Sequence, residues 1–146
     1  MKYMIVLLML SYSLLTLANE KGLGVSFGNP TGLNGKYWLG ENTAIDGGMG
    51  LSLGQSVNFS VHSDFLYHQK VAFYFKDEHP LDLYYGVGAR FEFADAIEGG
   101  IRVPVGLLYN ITEQSADVFV EAAPIIDIIS RKGLELHLLS GARYYF

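Results

Sequence analysis

The chain closes on an unbroken alternation that runs from Leu134 to Phe146. Leu134, Leu136, Leu138, Ser140, Ala142, Tyr144 and Phe146 form one row, and Glu135, His137, Leu139, Gly141, Arg143 and Tyr145 form the other. Neighbouring side chains of a strand point to opposite faces, so a period of two with one greasy row and one charged row places the strand between two different environments. A water-soluble sheet hides its apolar row in a core. A membrane barrel does the reverse, with the apolar row outward against lipid and the charges inward in the lumen. Charge on the inner row makes the second arrangement the expectation for the whole chain.

The other end carries an export signature. Lys2 precedes the apolar run Met4 to Leu10, continued by Leu14, Leu15 and Leu17, and Thr16-Leu17-Ala18 offers small residues before a cut after Ala18. The apolar part falls short of the roughly 20 residues that a spanning helix needs, so residues 1–18 read as a cleaved signal and residues 19–146 as one barrel domain. No cysteine follows the cut, and the chain has none at all, which excludes a disulfide framework and any thiolate metal site. The formal charge of −5, more negative still without Lys2, argues against a nucleic-acid partner. After residue 18 no apolar stretch reaches helix-spanning length. Entry into hydrocarbon then requires strands closed into a barrel, the other structure that satisfies every backbone group there. The 17 glycines, ten tyrosines and nine phenylalanines suit a curved sheet and interfacial girdles better than helices.

Eight segments have the length and alternation of barrel strands. They are Gly22–Gly28, Leu33–Gly40, Ala44–Leu53, Ser56–His68, Asp82–Phe93, Gly99–Asn110, Ala116–Ile128 and the closing strand from Leu134. Outward rows include Leu23, Val25 and Phe27 in the first, Val57, Phe59, Val61, Phe65 and Tyr67 in the fourth, and Leu83, Tyr85, Val87, Ala89, Phe91 and Phe93 in the fifth. The fold expected is all-β, an eight-stranded antiparallel up-and-down transmembrane β-barrel. Pro104 and Pro124 fit only at a bulge or a broken ladder position. The stretch Gln69 to Leu81 reads either as an extension of the fourth strand through Val71, Phe73 and Phe75 or as a loop, with a break at Lys76-Asp77-Glu78-His79-Pro80.

With both termini on the periplasmic side, one rim collects the outward residues Tyr37, Tyr67, Tyr85, Tyr109, Tyr144 and Phe146, an aromatic girdle drawn from the whole sequence. Phe27, Phe59, Phe91 and Phe93 mark the opposite rim. The same parity leaves every outer connection short and puts the longest one, Gln69 to Leu81, on the periplasmic side. Either a further strand within Val71–Phe75 shifts the parity, or the barrel displays little outside.

The inward rows hold Arg90, Glu92, Arg102, Glu121, Asp127, Glu135 and Arg143. An eight-stranded interior is just wide enough to be filled by side chains, and isolated charges there are costly. These seven are expected to neutralise one another as a lumen charge network, Glu121 with Arg143 across neighbouring strands, with Lys36 and Asp46 as a second pair. Ser60, His62 and Asp64 share an inward face, but same-face residues lie roughly 7 Å apart along a strand, too far for a catalytic triad. His137 and Ser140 point to opposite faces. The four histidines show no ligand spacing. No catalytic residue, no cofactor and no metal site is expected.

Several segments resemble a family of small outer-membrane barrel proteins of Gram-negative-type bacteria. They are Gly28-Asn29-Pro30-Thr31-Gly32-Leu33-Asn34-Gly35-Lys36-Tyr37-Trp38, Arg102-Val103-Pro104-Val105-Gly106-Leu107, Val118-Phe119-Val120-Glu121-Ala122-Ala123-Pro124 and Gly141-Ala142-Arg143-Tyr144-Tyr145-Phe146. The likeness spans the chain after residue 18, and more broadly it is similar to eight-stranded barrels of the outer membrane protein A type. The resemblance implies an outer-membrane location, a monomer in contact with outer-membrane lipid, and recognition of the last strand, ending in Phe146, by the barrel-assembly machinery. It implies no reaction. A structural or envelope role is the expectation. The alternatives are a surface or periplasmic binding barrel, a lipid A-modifying barrel enzyme, whose active residues would face lipid, and, outside the membrane, a soluble lipocalin-like barrel with a polar exterior.

Overall fold

The computed structural model describes residues 20–53, 56–131 and 133–146. The expected signal, residues 1–18, and the turn at Gly54-Gln55 lie outside the described residues. Nine strands follow in order: β1 (Lys21–Gly28), β2 (Thr31–Trp38), β3 (Thr43–Leu53), β4 (Val57–Phe75), β5 (His79–Phe93), β6 (Ile97–Arg102), β7 (Val105–Ile111), β8 (Ala116–Asp127) and β9 (Leu134–Tyr145). All pairings are antiparallel, and β1 pairs with β9 from Gly22↔Tyr145 to Gly28↔Leu139, so the sheet closes in a ring.

β6 and β7 lie end to end, each paired with β5 on one side and β8 on the other. Between them is Pro104, which lacks the N–H that a ladder needs. Its carbonyl still accepts from Gly86 N at 3.0 Å, and Val103 N donates to Pro124 O at 2.9 Å. A residue's N–H and C=O point to the same side of an antiparallel strand, so the donor that Pro124 lacks faces this same interruption. Both prolines are thereby accommodated at one place.

The alternation expected from sequence is the burial pattern observed. Leu23, Leu33, Met49, Val57, Val87, Val120, Leu134, Leu136 and Leu138 are all exposed, whereas Lys36, Asp64, Arg90, Arg102, Asp117 and Arg143 are at most 4% exposed. The interior also holds an apolar cluster of Leu66, Tyr84, Leu108, Phe119 and Leu139. The sheet is therefore inverted relative to a water-soluble one.

Gln69 to Leu81 is neither a loop nor a separate strand. β4 and β5 run past the rim as one hairpin, with Phe73↔Leu81, Tyr74↔Pro80 and Phe75↔His79 paired, and the turn is Lys76–Glu78. A bulge between Gln69 and Phe73 inserts residues on β4 in an even number, so the faces keep their parity across it. Val71 sits there at φ 53°, an unusual conformation for a β-branched residue, and its N–H donates to Asp82 Oδ1 at 2.8 Å. Pro80 is tolerated because β7 begins its pairing with β5 only at Asp82, which leaves Pro80 at an open edge.

Candidate functional site

The lumen is where the polar chemistry collects. Three guanidiniums are spaced along it, each between two carboxylates. Nearest the start of β1 and the C-terminal residue, Arg143 Nε donates to Asp117 Oδ1 at 3.0 Å, its Nη1 lies 3.7 Å from Asp46 Oδ2, and its plane rests 4.2 Å from the Phe119 ring centroid. Tyr145 Oη donates to the other Asp117 oxygen at 2.5 Å. Further in, Arg102 Nε donates to Asp64 Oδ2 at 2.8 Å and its Nη2 to Glu121 Oε1, while Tyr84 Oη donates to Glu121 Oε2 at 2.9 Å. Beyond that, Arg90 bonds Glu92 and, at 3.2 Å, Glu135, and Asn58 Nδ2 donates to Glu92 at 2.9 Å. Each arginine is bound by at least one carboxylate from another strand, so the interactions tie the wall of the ring across its interior, while one nitrogen of each guanidinium has no hydrogen-bond partner among the described residues.

Two expected pairings are corrected. Glu121 does not meet Arg143. In the β8–β9 register Asp117 is opposite Arg143, and Glu121 is opposite Leu139. Glu121 serves Arg102 instead. Lys36 is opposite Asp46 in the β2–β3 register, yet its ammonium makes no hydrogen bond among the described residues. It lies 4.6 Å from the Trp38 ring centroid and 5.3 Å from that of Tyr84, a cation–π placement. Asp127 belongs to the inner row but binds Ser130, accepting from its N and Oγ at 2.8 and 2.7 Å, and so shapes the start of the β8–β9 connection. Asp117, Tyr84 and Tyr145 are the network members that the sequence reading left out. Asp117 was legible there, two positions before Phe119 on the same inward row.

The triad geometry fails as the strand spacing requires. Asp64 is committed to Arg102, and Ser60 lies opposite Gly50 and Glu92. On the outer face Ser63 is flanked by Gly47 and Ala89, neither of which can act as base or acid. At the end bearing Lys21 and Phe146, the lumen opens into a cavity of about 490 Å³ whose lining includes Trp38, Lys70, Asp82, Asn110 and Tyr145.

The outward aromatics gather at that same end. Tyr37, Tyr67, Tyr85, Tyr144 and Phe146 are exposed. Tyr67 and Tyr85 are cross-strand partners with ring centroids 5.7 Å apart, and Tyr109 is half-buried with its hydroxyl 3.3 Å from His79 Nδ1. At the other end Phe59 and Phe93 stack at 6.1 Å, with Phe27 and Phe91 also exposed. Phe146 N donates to Lys21 O at 2.9 Å, which joins the last residue to the first strand. No family model, no curated protein and no solved structure matches the chain.

Proposed function

We propose that the chain is a small outer-membrane barrel of eight staves, β6 and β7 forming one stave broken at Pro104, with a side-chain-filled lumen and a structural role in the cell envelope. The observation that carries this reading is the inversion of the sheet. Outward rows of Leu, Val, Ile and Phe, exposed on every strand and bounded by tyrosines at one end and phenylalanines at the other, are costly in water and favourable in hydrocarbon. The ring closes through β1 and β9, so open edges are confined to the β4–β5 hairpin that runs past the rim, and the ring itself offers few unsatisfied backbone groups to lipid. The export signal expected from the sequence supports an outer-membrane location for such a barrel, with outer-membrane lipid around it and the barrel-assembly machinery as its partner during biogenesis.

A non-catalytic role is supported by where the reactive side chains go. The inward carboxylates and guanidiniums are bound to one another, and the outward Ser63 has only Gly47 and Ala89 beside it. Separation of native membranes, followed by electrophoresis with and without boiling, tests the reading. The protein should partition with the outer membrane and shift in mobility only after heating. Recovery in the soluble periplasmic fraction without a shift would reject it. Stable ion-selective conductance in a planar bilayer would reject the filled lumen separately.

A further inference from the structure

Asp46, His62 and Asp64 each offer a ligand atom, and the three atoms lie within 4.8 Å of one another. They come from adjacent strands. Asp46 is the register partner of Asp64, and His62 is opposite Gly48. The two carboxylates are 8% and 1% exposed, and each gives one oxygen to an arginine: Asp64 Oδ2 to Arg102 and Asp46 Oδ2 toward Arg143. The remaining atoms, Asp46 Oδ1, Asp64 Oδ1 and His62 Nδ1, are buried and have no hydrogen-bond partner among the described residues. Buried polar atoms are almost always satisfied. Two carboxylate oxygens and an imidazole nitrogen without partners, on residues this close together, are what a cation would satisfy together.

The backbone makes room for these side chains. A Cβ on Gly48 would stand 2.6 Å from His62 Cε1, and one on Gly88 would stand 2.0 Å from Asp64 Oδ1. Glycines on the two flanking strands thus let the imidazole and the carboxylate lie flat against the wall. Asp46 and Asp64 are directly opposite on paired strands, where like charges repel. Arg102 is shared between Asp64 and Glu121, and Arg143 between Asp46 and Asp117, and each keeps one guanidinium nitrogen unpartnered among the described residues.

We propose that Asp46, His62 and Asp64 bind a divalent transition-metal cation of the Zn²⁺ class inside the lumen. Imidazole together with carboxylates suits Zn²⁺ and its neighbours, whereas Ca²⁺ and Mg²⁺ favour larger all-oxygen shells. Three protein ligands leave one tetrahedral position for water. The claim does not depend on where the barrel resides.

The test is equilibrium dialysis of the purified full chain in detergent against Zn²⁺, with Co²⁺ as a spectroscopic substitute. One Zn²⁺ per chain is expected, with visible Co²⁺ bands of tetrahedral intensity. His62→Ala and Gly48→Ala should each weaken binding about tenfold or more. Asp64→Asn, which preserves shape and an acceptor for Arg102, is the substitute if either fails to give the heat-dependent gel shift of the folded barrel. Asp127→Asn, in the second carboxylate group Glu98, Asp127 and Glu135, should leave binding unchanged. No stoichiometric Zn²⁺, or binding that survives loss of His62 and falls with Asp127→Asn, would overturn the proposal while leaving the barrel reading intact.

Discussion

Removing Glu121 should expose how the interior is held. Its carboxylate bridges Arg102 and Tyr84, and all three side chains are nearly inaccessible. Glu121→Ala leaves the guanidinium with Asp64 alone and strips the Tyr84 hydroxyl of its acceptor. Breaking one side of a buried pair costs about 3–5 kcal/mol, and a stranded hydroxyl adds about 1–3 kcal/mol where no water reaches it. Arg102→Met should cost at least as much, because it leaves two buried carboxylates without a counter-charge, Asp64 with no partner and Glu121 with Tyr84 alone. The double variant strands Asp64 and the Tyr84 hydroxyl but leaves no unpaired Glu121 or Arg102, so it should fall short of the summed losses by about 0.5–3 kcal/mol, the range of direct coupling within one network. The assay is equilibrium unfolding by urea in detergent micelles, followed by circular dichroism and by loss of the heat-dependent gel shift. Glu121→Ala with Arg143→Met serves as the comparison and should couple more weakly, since those two residues are in separate clusters. Additive losses for Glu121 and Arg102, or stronger coupling to Arg143, would refute the reasoning.

Other outcomes follow from local geometry. Gly24→Ala should destabilise the ring by about 1–3 kcal/mol, because its Cβ would meet Ala142 O at 1.9 Å, while Gly35→Ala, with nothing nearer than 3.4 Å, should be neutral or slightly stabilising; urea midpoints compare the two directly. Val71→Gly should stabilise the fold by up to about 1 kcal/mol, since glycine accepts the φ of 53° that valine resists, and a lower urea midpoint would contradict this. Deleting Phe146 removes one backbone bond, to Lys21 O, worth about 0.5–1.5 kcal/mol. Refolding in detergent should therefore persist while the amount reaching the outer membrane in cells falls, and equal levels would reject a recognition role for the last residue.

Strand faces were legible because a period of two is local: Leu134 to Phe146 declares its two rows whatever lies beside it. Register was not. Which residue faces Arg143 depends on the connection between β8 and β9, and moving its partner from Glu121 to Asp117 is a shift of four positions, roughly 13 Å along the strand. The hairpin beyond Gln69 was obscured for a related reason. Pro80 and the charged run before it look like a break, but at an open edge the proline removes no ladder bond, and an even-numbered bulge keeps the faces in phase. The grouping of His62 with Asp46 was hidden because ligand spacing in a sequence is read within a single element, on a helix for the histidines and along one strand for Ser60, His62 and Asp64. Cross-strand partners are nearer than residues two apart on the same strand, but nothing in a single strand announces them.

The central claim is that the exposed apolar rows face lipid, and the absence of cysteine makes a direct measurement clean. Single cysteines placed in turn from Leu134 to Phe146, spin-labelled and reconstituted into lipid vesicles, report collision with oxygen, which concentrates in hydrocarbon, against a water-soluble nickel chelate. Labels at Leu134, Leu136, Leu138, Ser140 and Ala142 should be accessible to oxygen and shielded from the chelate, with positions 135, 137, 139, 141 and 143 immobilised and reached by neither. Ready access of the chelate to the Leu136 and Leu138 positions would contradict the account, since those rows would then stand in water.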